Sequence, residues 1–205
     1  MKSIFFWEDY LKEVPICNQL VENYETIKEE IVNFVKNPLS LHDYPKYVVF
    51  GRELYDNYWK ASPLSNFEGE YISNEATPEQ KKLIDLIIKN GKMMCPTVES
   101  IISEPERNGV VANVFISRLI PGSIINPHHG WTNNFMRVHL GIICDPECKI
   151  TVGDETRTWE PGKLLAFNDG GPHYHSVKHE GKTERIVLSV DIKLSHLEPY
   201  INLVS

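Results

Sequence analysis

The sequence predicts an α+β fold, with helices gathered in the first half of the chain and an antiparallel sandwich or barrel in the second. Two observations carry this expectation. Apolar residues recur at a helical period over 20–36 and again over 77–91. From Val110 onward, short apolar runs instead alternate with Gly and Pro turns. The chain has 205 residues, enough for a single domain with a sizeable core. Residues 1–109 read as helical and irregular support, 110–192 as the β core and 193–205 as a C-terminal tail.

The elements follow in order. Leu20, Val21, Tyr24, Ile27, Ile31 and Val35 mark one face of a first helix. Thr77 and Pro78 fit the N-cap and first turn of a second. It runs through Leu83, Ile84, Leu86, Ile87 and Ile88 and is expected to stop at Asn90-Gly91. Residues 44–69, aromatic with Pro and Gly breaks, read as packed loops and short strands. The expected strands are 111–120, 135–143, 149–152, 157–159, 164–167, 173–178 and 184–192, a spacing typical of sandwiches and barrels.

Composition narrows the function. The formal charge is −7 and no run of Lys or Arg forms a basic patch, so no nucleic-acid partner is expected. The apolar stretch 4–7 is too short for a signal peptide, and no segment approaches the ~20 apolar residues of a membrane span. Cys17, Cys95, Cys144 and Cys148 match no zinc spacing and read as free thiols, which points to a cytoplasmic protein.

Histidine placement is the strongest chemical signal. Six of the eight histidines lie between 128 and 179, in the β half. Along 135–143, Met136, Val138, Leu140 and Ile142 share one face, and Arg137 and His139 share the other. If that second face lines a barrel interior rather than solvent, a cation and an imidazole there need an anion or a metal beside them. The last strand repeats the pattern. Ile186, Leu188 and Val190 form one face, and Arg185, Val187, Ser189 and Asp191 the other. Arg185 follows His173 by twelve residues, and its planar fork suits a carboxylate. A metal-binding His and a carboxylate-binding Arg on adjacent strands suit a keto-acid cosubstrate. In Asn126-Pro127-His128-His129-Gly130 either His suits a metal. Gly130 removes the His-x-carboxylate pair of the two-His-one-carboxylate iron site.

These segments resemble a known family. The run from Ile125 to Leu140 (INPHHGWTNNFMRVHL), Cys148-Lys149-Ile150, Thr158 to Lys163 (TWEPGK), Phe167 to His173 (FNDGGPH) and Arg185 to Asp191 (RIVLSVD) are similar, in order, to the core motifs of the aspartyl/asparaginyl β-hydroxylase family. The likeness covers about residues 92–192, with Met94 to Ile102 resembling the segment before the core.

The resemblance implies a double-stranded β-helix, or jelly roll, and a hydroxylase using Fe(II), 2-oxoglutarate and O2. It implies His128 and His173 as metal ligands and Gly130 as the mark of a site held by two histidines alone. Arg185 would anchor the 2-oxoglutarate carboxylate, with Ser117, Arg137 and His139 as further cosubstrate contacts. His175 and His179 are left dispensable for the metal, and Gly130→Asp is expected to supply a third ligand. Asn168, His129 and Trp131 depart from the family pattern. Family substrates range from protein domains to lipid chains and amino-acid-like metabolites, so a peptide or small-molecule substrate is expected. Trp59 and Trp131 are candidates for its mouth. The alternatives are a 2-oxoglutarate-dependent halogenase, a cupin-type metal enzyme, and a non-catalytic jelly-roll binding protein.

Overall fold

The computed structural model describes residues 5–37, 42–43, 59–65, 77–130 and 132–201. Trp131 and most of 44–69 lie outside them. The elements are α1 (Pro15–Glu22), α2 (Tyr24–Val35), β1 (His42–Asp43), β2 (Trp59–Pro63), α3 (Pro78–Met94), α4 (Pro96–Arg107), β3 (Val111–Leu119), β4 (Ile124–His128), β5 (Phe135–Ile143), β6 (Cys148–Val152), β7 (Glu155–Thr158), β8 (Leu164–Asn168), β9 (His175–His179), β10 (Arg185–Lys193) and α5 (Leu194–Ile201), with a 3-10 turn at Glu8–Glu13 before α1.

Two antiparallel sheets face each other in a jelly roll. The larger has the order β1-β2-β3-β10-β5-β8 and the smaller β4-β9-β6-β7. Strand alternation divides the apolar residues into two clusters. Met136, Val138, Leu140 and Ile142 of β5, with Ile186, Leu188 and Val190 of β10, pack under the helices. Helices α1, α2 and α4 contribute Leu20, Ile27, Ile31, Phe34 and Ile102 to this cluster. Each such side chain contributes about 1.5–3 kcal/mol on burial. The second cluster lies between the sheets and includes Leu119, Ile150, Trp159, Phe167 and Val187. Arg137, His139, Arg185, Ser189 and Asp191 are buried on that inner face, so it lines the interior rather than solvent.

Several elements differ from expectation for visible reasons. The first helix is split at Asn23, whose side-chain amide donates to the Gln19 carbonyl at 2.8 Å. Asn competes in this way with the helical backbone. Helix α3 continues through Gly91 because that glycine is a packing notch, where a Cβ would overlap the Leu64 side chain. The expected tail forms α5, which buries Leu197 in the helical cluster. Helix α4 and strand β4 have no counterpart in the sequence-based reading. Among the described residues, no helix is long and apolar enough to cross a membrane. Cys17, Cys95, Cys144 and Cys148 are all free.

The exposed edge of β8 is closed by the N-terminal segment. Phe6 bridges to Phe167, and the Trp7 N–H donates to the Ala166 carbonyl at 2.8 Å. The connection between β9 and β10 is pinned by Asp145. Its carboxylate accepts the amides of Glu147 (2.9 Å), Lys182 (2.8 Å) and Thr183 (2.9 Å) and the Thr183 hydroxyl (2.9 Å). Gly181 permits the approach, since a Cβ there would overlap this carboxylate.

The amides of Thr183 and Glu147 hold the Asp145 carboxyl well below its ordinary value. A depressed carboxyl stabilises the fold above the unfolded pKa of about 4 and ceases to do so as pH falls through its folded value. Asp145→Asn should therefore destabilise the protein most at neutral pH, with the gap closing in acid. Urea unfolding of both proteins across pH checks this. A gap independent of pH would show that the carboxylate charge is not what holds the hairpin.

Candidate active site

One end of the space between the sheets gathers the histidines. Strand β4 is an edge strand, so Pro127 removes no ladder bond. A bulge between Ile125 and His128 brings His128 opposite His175 on β9. Their ring centroids are 4.0 Å apart. His128 Nδ1 lies 2.8 Å from the Asn126 carbonyl oxygen, a contact that puts the proton on Nδ1 and leaves the Nε2 lone pair free. Burial lowers the pKa of His128. It lowers that of His175 further, with His128 and Arg137 adding to the effect. Both rings are therefore neutral, the form a first-row metal ion takes as ligand. His175 is buried, and its Nδ1 has no partner among the described residues.

His173 is not part of this pair. It is exposed on the loop before β9, with its ring edge-on to Phe5 at 4.8 Å between centroids. The strand expected to begin at 173 begins at 175. Residues two apart share strand parity, so alternation cannot separate them. What separates them is the loop. Gly170 lies so close to the Thr132 backbone that a Cβ would overlap its carbonyl, and the Gly153 N–H donates to the Tyr174 carbonyl at 2.9 Å. The Gly170 contact holds the loop off the sheet, while the Gly153 bond continues the β6–β9 register only as far as Tyr174. The structure thus sets His175, rather than His173, opposite His128.

Gly130 also has a role that sequence alone concealed. A Cβ at 130 would overlap the Asp169 carboxylate, and the Gly130 N–H donates to the Asp169 carbonyl at 2.7 Å. The space beside the imidazoles is therefore filled by a carboxylate reaching in from the β8–β9 loop. Asp169 Oδ1 lies 3.3 Å from His175 Nε2 and 2.7 Å from Arg137 Nη1. Arg137 also donates Nε and Nη2 to the two oxygens of Asp191, each at 2.8 Å. Asp191 accepts Asn113 Nδ2 at 2.9 Å. Arg137 with Asp169 and Asp191 sums to +1 − 2 = −1, a net negative charge that suits a nearby dication. Among the described residues no cluster of three His, Cys, Asp or Glu side chains is arranged to hold a metal.

Arg185 is the opposite case. It is 2% exposed, and no carboxylate reaches ion-pair distance among the described residues. Its Nη1 and Nη2 each lie 3.3 Å from Ser117 Oγ, and its Nε has no partner among the described residues. Ser117 Oγ also accepts the Trp59 indole N–H at 2.9 Å. Burial lowers the Arg185 pKa, against the thiols of Cys148 and Cys144 beside it. His139 is buried and accepts the Trp159 indole N–H at Nδ1, 3.1 Å away. Burial, then Arg185 and Arg137, keep His139 well below its ordinary pKa. At the rim, His129 stacks on the exposed ring of Tyr174, with centroids 3.9 Å apart. His179 is buried on β9 among apolar neighbours, away from the His128 pairing position.

A family model described as aspartyl/asparaginyl beta-hydroxylase matches residues 21–194, most of the chain. The chain belongs to this family. Aspartate beta-hydroxylase domain-containing protein 2 of Mus musculus is 40% identical over 88 residues, covering 42% of this chain and 25% of that protein. Aspartyl/asparaginyl beta-hydroxylase of Homo sapiens is 34% identical over 113 residues, covering 54% of this chain and 14% of that protein. The chain thus spans a quarter or less of the length of these relatives. A crystal structure of a predicted oxalate decarboxylase from Thermotoga maritima aligns with TM-score 0.36 and 16% identity over 44% of this chain and 73% of that one.

Because Asp169 fills the space at Gly130, Gly130→Asp should not supply a third ligand. It should set two carboxylates against each other and destabilise the fold by about 1–3 kcal/mol, as overpacking does. Thermal unfolding beside Gly130→Ala checks this. A wild-type midpoint in Gly130→Asp would mean Asp169 does not occupy that space.

Proposed function

We propose that this protein is an Fe(II)- and 2-oxoglutarate-dependent hydroxylase acting on an unactivated C–H of an amino-acid-like, peptide or other small substrate. The observation that carries the reading is Arg185. A buried guanidinium with no carboxylate partner is strongly unfavourable unless an anion joins it. No described carboxylate supplies that anion, and an external one would sit in the same interior as the His128–His175 pair, two neutral imidazoles of which His175 is buried. A dicarboxylate that also bears a keto group satisfies both ends.

In this reading His128 and His175 hold Fe(II), which with 2-oxoglutarate and O2 supplies the oxidising power and leaves succinate and CO2. One oxygen atom enters the substrate as hydroxyl and the other enters succinate. Arg185 and the Ser117 hydroxyl take the distal carboxylate, with Trp59 orienting that hydroxyl. His139 offers its Nε2–H to the cosubstrate, because Nδ1 already accepts from Trp159. Arg137 orients Asp169 rather than serving as a free cationic anchor, since its guanidinium is spread over two carboxylates. The apolar residues between the sheets keep bulk water from the reacting centre. The name of the relatives makes an aspartyl or asparaginyl side chain the first substrate to try.

The halogenase alternative is disfavoured by Asp169. Its carboxylate fills the space at Gly130 beside His175 and would repel a halide brought there.

Two outcomes test the reading. His175→Ala should abolish Fe(II) binding and succinate release, whereas His173→Ala should keep both. The reverse pattern would return the second ligand to His173. Arg185→Ala should raise the 2-oxoglutarate requirement by an amount worth ~2–5 kcal/mol. Unchanged 2-oxoglutarate dependence in succinate-release assays would remove the main support for this chemistry. The product should gain one oxygen regardless of chloride or bromide.

A further inference from the structure

Two groups that face the proposed cosubstrate, His139 and Arg185, share one neighbour. Trp159 is buried just past β7, and its side chain meets both in different ways. Its indole N–H donates to His139 Nδ1 at 3.1 Å. Its ring face lies under the Arg185 guanidinium, with Cζ 4.7 Å from the ring centroid.

The first contact fixes a proton. An indole nitrogen donates and never accepts, so His139 Nδ1 must hold a lone pair. The ring is neutral, so its proton is on Nε2. A histidine without such a partner distributes its proton between both nitrogens. A cosubstrate carboxylate needs a donor at Nε2, and the other tautomer would present it with a lone pair.

The second contact fixes a direction. Arg185 has a rotamer-rich side chain and no carboxylate to hold it among the described residues. Two long hydrogen bonds to Ser117 Oγ define one edge of the fork. The indole face supports its plane, an interaction worth more where water is excluded. Phe167, edge-on to His139 at 5.6 Å between centroids, closes the other side of the imidazole.

We propose that Trp159 is the positioning residue of the cosubstrate pocket, holding His139 as the Nε2–H tautomer and seating the Arg185 guanidinium to receive the distal carboxylate. This rests on the 2-oxoglutarate reading above. The indole touches neither metal nor substrate and acts only through the two residues it holds.

The test uses Trp159→Phe, which keeps a ring under Arg185 and removes only the N–H. Nitrogen NMR of histidine-labelled, metal-free protein reads the tautomer directly and needs no activity. In wild type, His139 should be wholly the Nε2–H tautomer, with a coupling across the hydrogen bond to the Trp159 indole nitrogen. In Trp159→Phe it should become a mixture. The concentration of 2-oxoglutarate for half-saturation should rise about ten-fold, the loss of one hydrogen bond to a charged group, while the turnover rate at saturation holds. Trp159→Leu, which also removes the ring face, should weaken 2-oxoglutarate further.

A wild-type His139 protonated on Nδ1, or a variant whose tautomer shifts while 2-oxoglutarate binding stays within about two-fold, would overturn the proposal. If Trp159→Phe fails to fold, the coupling in wild type decides, and its absence counts against the proposal. A wild type that binds no 2-oxoglutarate with Fe(II) would instead sink the reaction reading. The His139 tautomer would still judge the hold of Trp159 on that ring.

Discussion

The pairing of Arg137 with Asp191 and Asp169 organises the inside of this protein. Arg137 and Asp191 stand opposite each other on β5 and β10, and Asp169 reaches them from the β8–β9 loop. One guanidinium thus ties together the two central strands and the loop that leads into His175. In the interior each of these charges would be strongly unfavourable alone, and removing one partner of such a set costs about 3–5 kcal/mol. All three are placed by alternation and by the loop, so the set forms only when strand register is right. The interaction makes the position of Asp169, and through it the surroundings of His128 and His175, a consequence of register.

Two buried arginines of one interior therefore have opposite electrostatics. Arg137 is over-neutralised, and Arg185 is not neutralised by any described carboxylate. A sequence reading sees two inward arginines of equal standing and gives both to a cosubstrate. The distinction needs the register, because Asp191 comes opposite Arg137 only through the pairing of β10 with β5, and Asp169 lies in a loop. With it, the demand for an external anion falls on Arg185 alone. That asymmetry separates a cosubstrate pocket from a structural salt-bridge cluster.

Much of this interior was legible in the sequence because strand periodicity is strict. The inward face of β5 with Arg137 and His139, and that of β10 with Arg185 and Asp191, follow from counting by twos. The α+β division and most strands follow from the change of period. The same strictness explains why the expected start of β9 falls at His173 rather than His175. Counting by twos cannot say whether a strand begins at 173 or 175, and the start follows the close contact of Gly170 with the Thr132 backbone and the register that pairs Val152 with His175. Strand β4 escaped notice because a proline and a bulge hide its alternation. Trp159 reads as the last residue of the expected strand 157–159, and nothing local to Thr158-Trp159-Glu160 reveals that its N–H meets His139.

Gly130 and Asp169 are best understood together. A carboxylate two residues after His128 would approach the metal pair along β4. Here the equivalent space is reached from the β8–β9 loop, and the glycine is what lets the carboxylate in. A side chain arriving this way is oriented by Arg137, and its Oδ1 lies 3.3 Å from His175 Nε2. The absence of a carboxylate at 130 therefore does not leave an empty place beside the histidines. A sequence reading that equates His-x-Gly with a vacant coordination position, and a vacant position with room for halide, omits the residue that occupies it. An anion entering the space beside His128 and His175 therefore meets the Asp169 carboxylate.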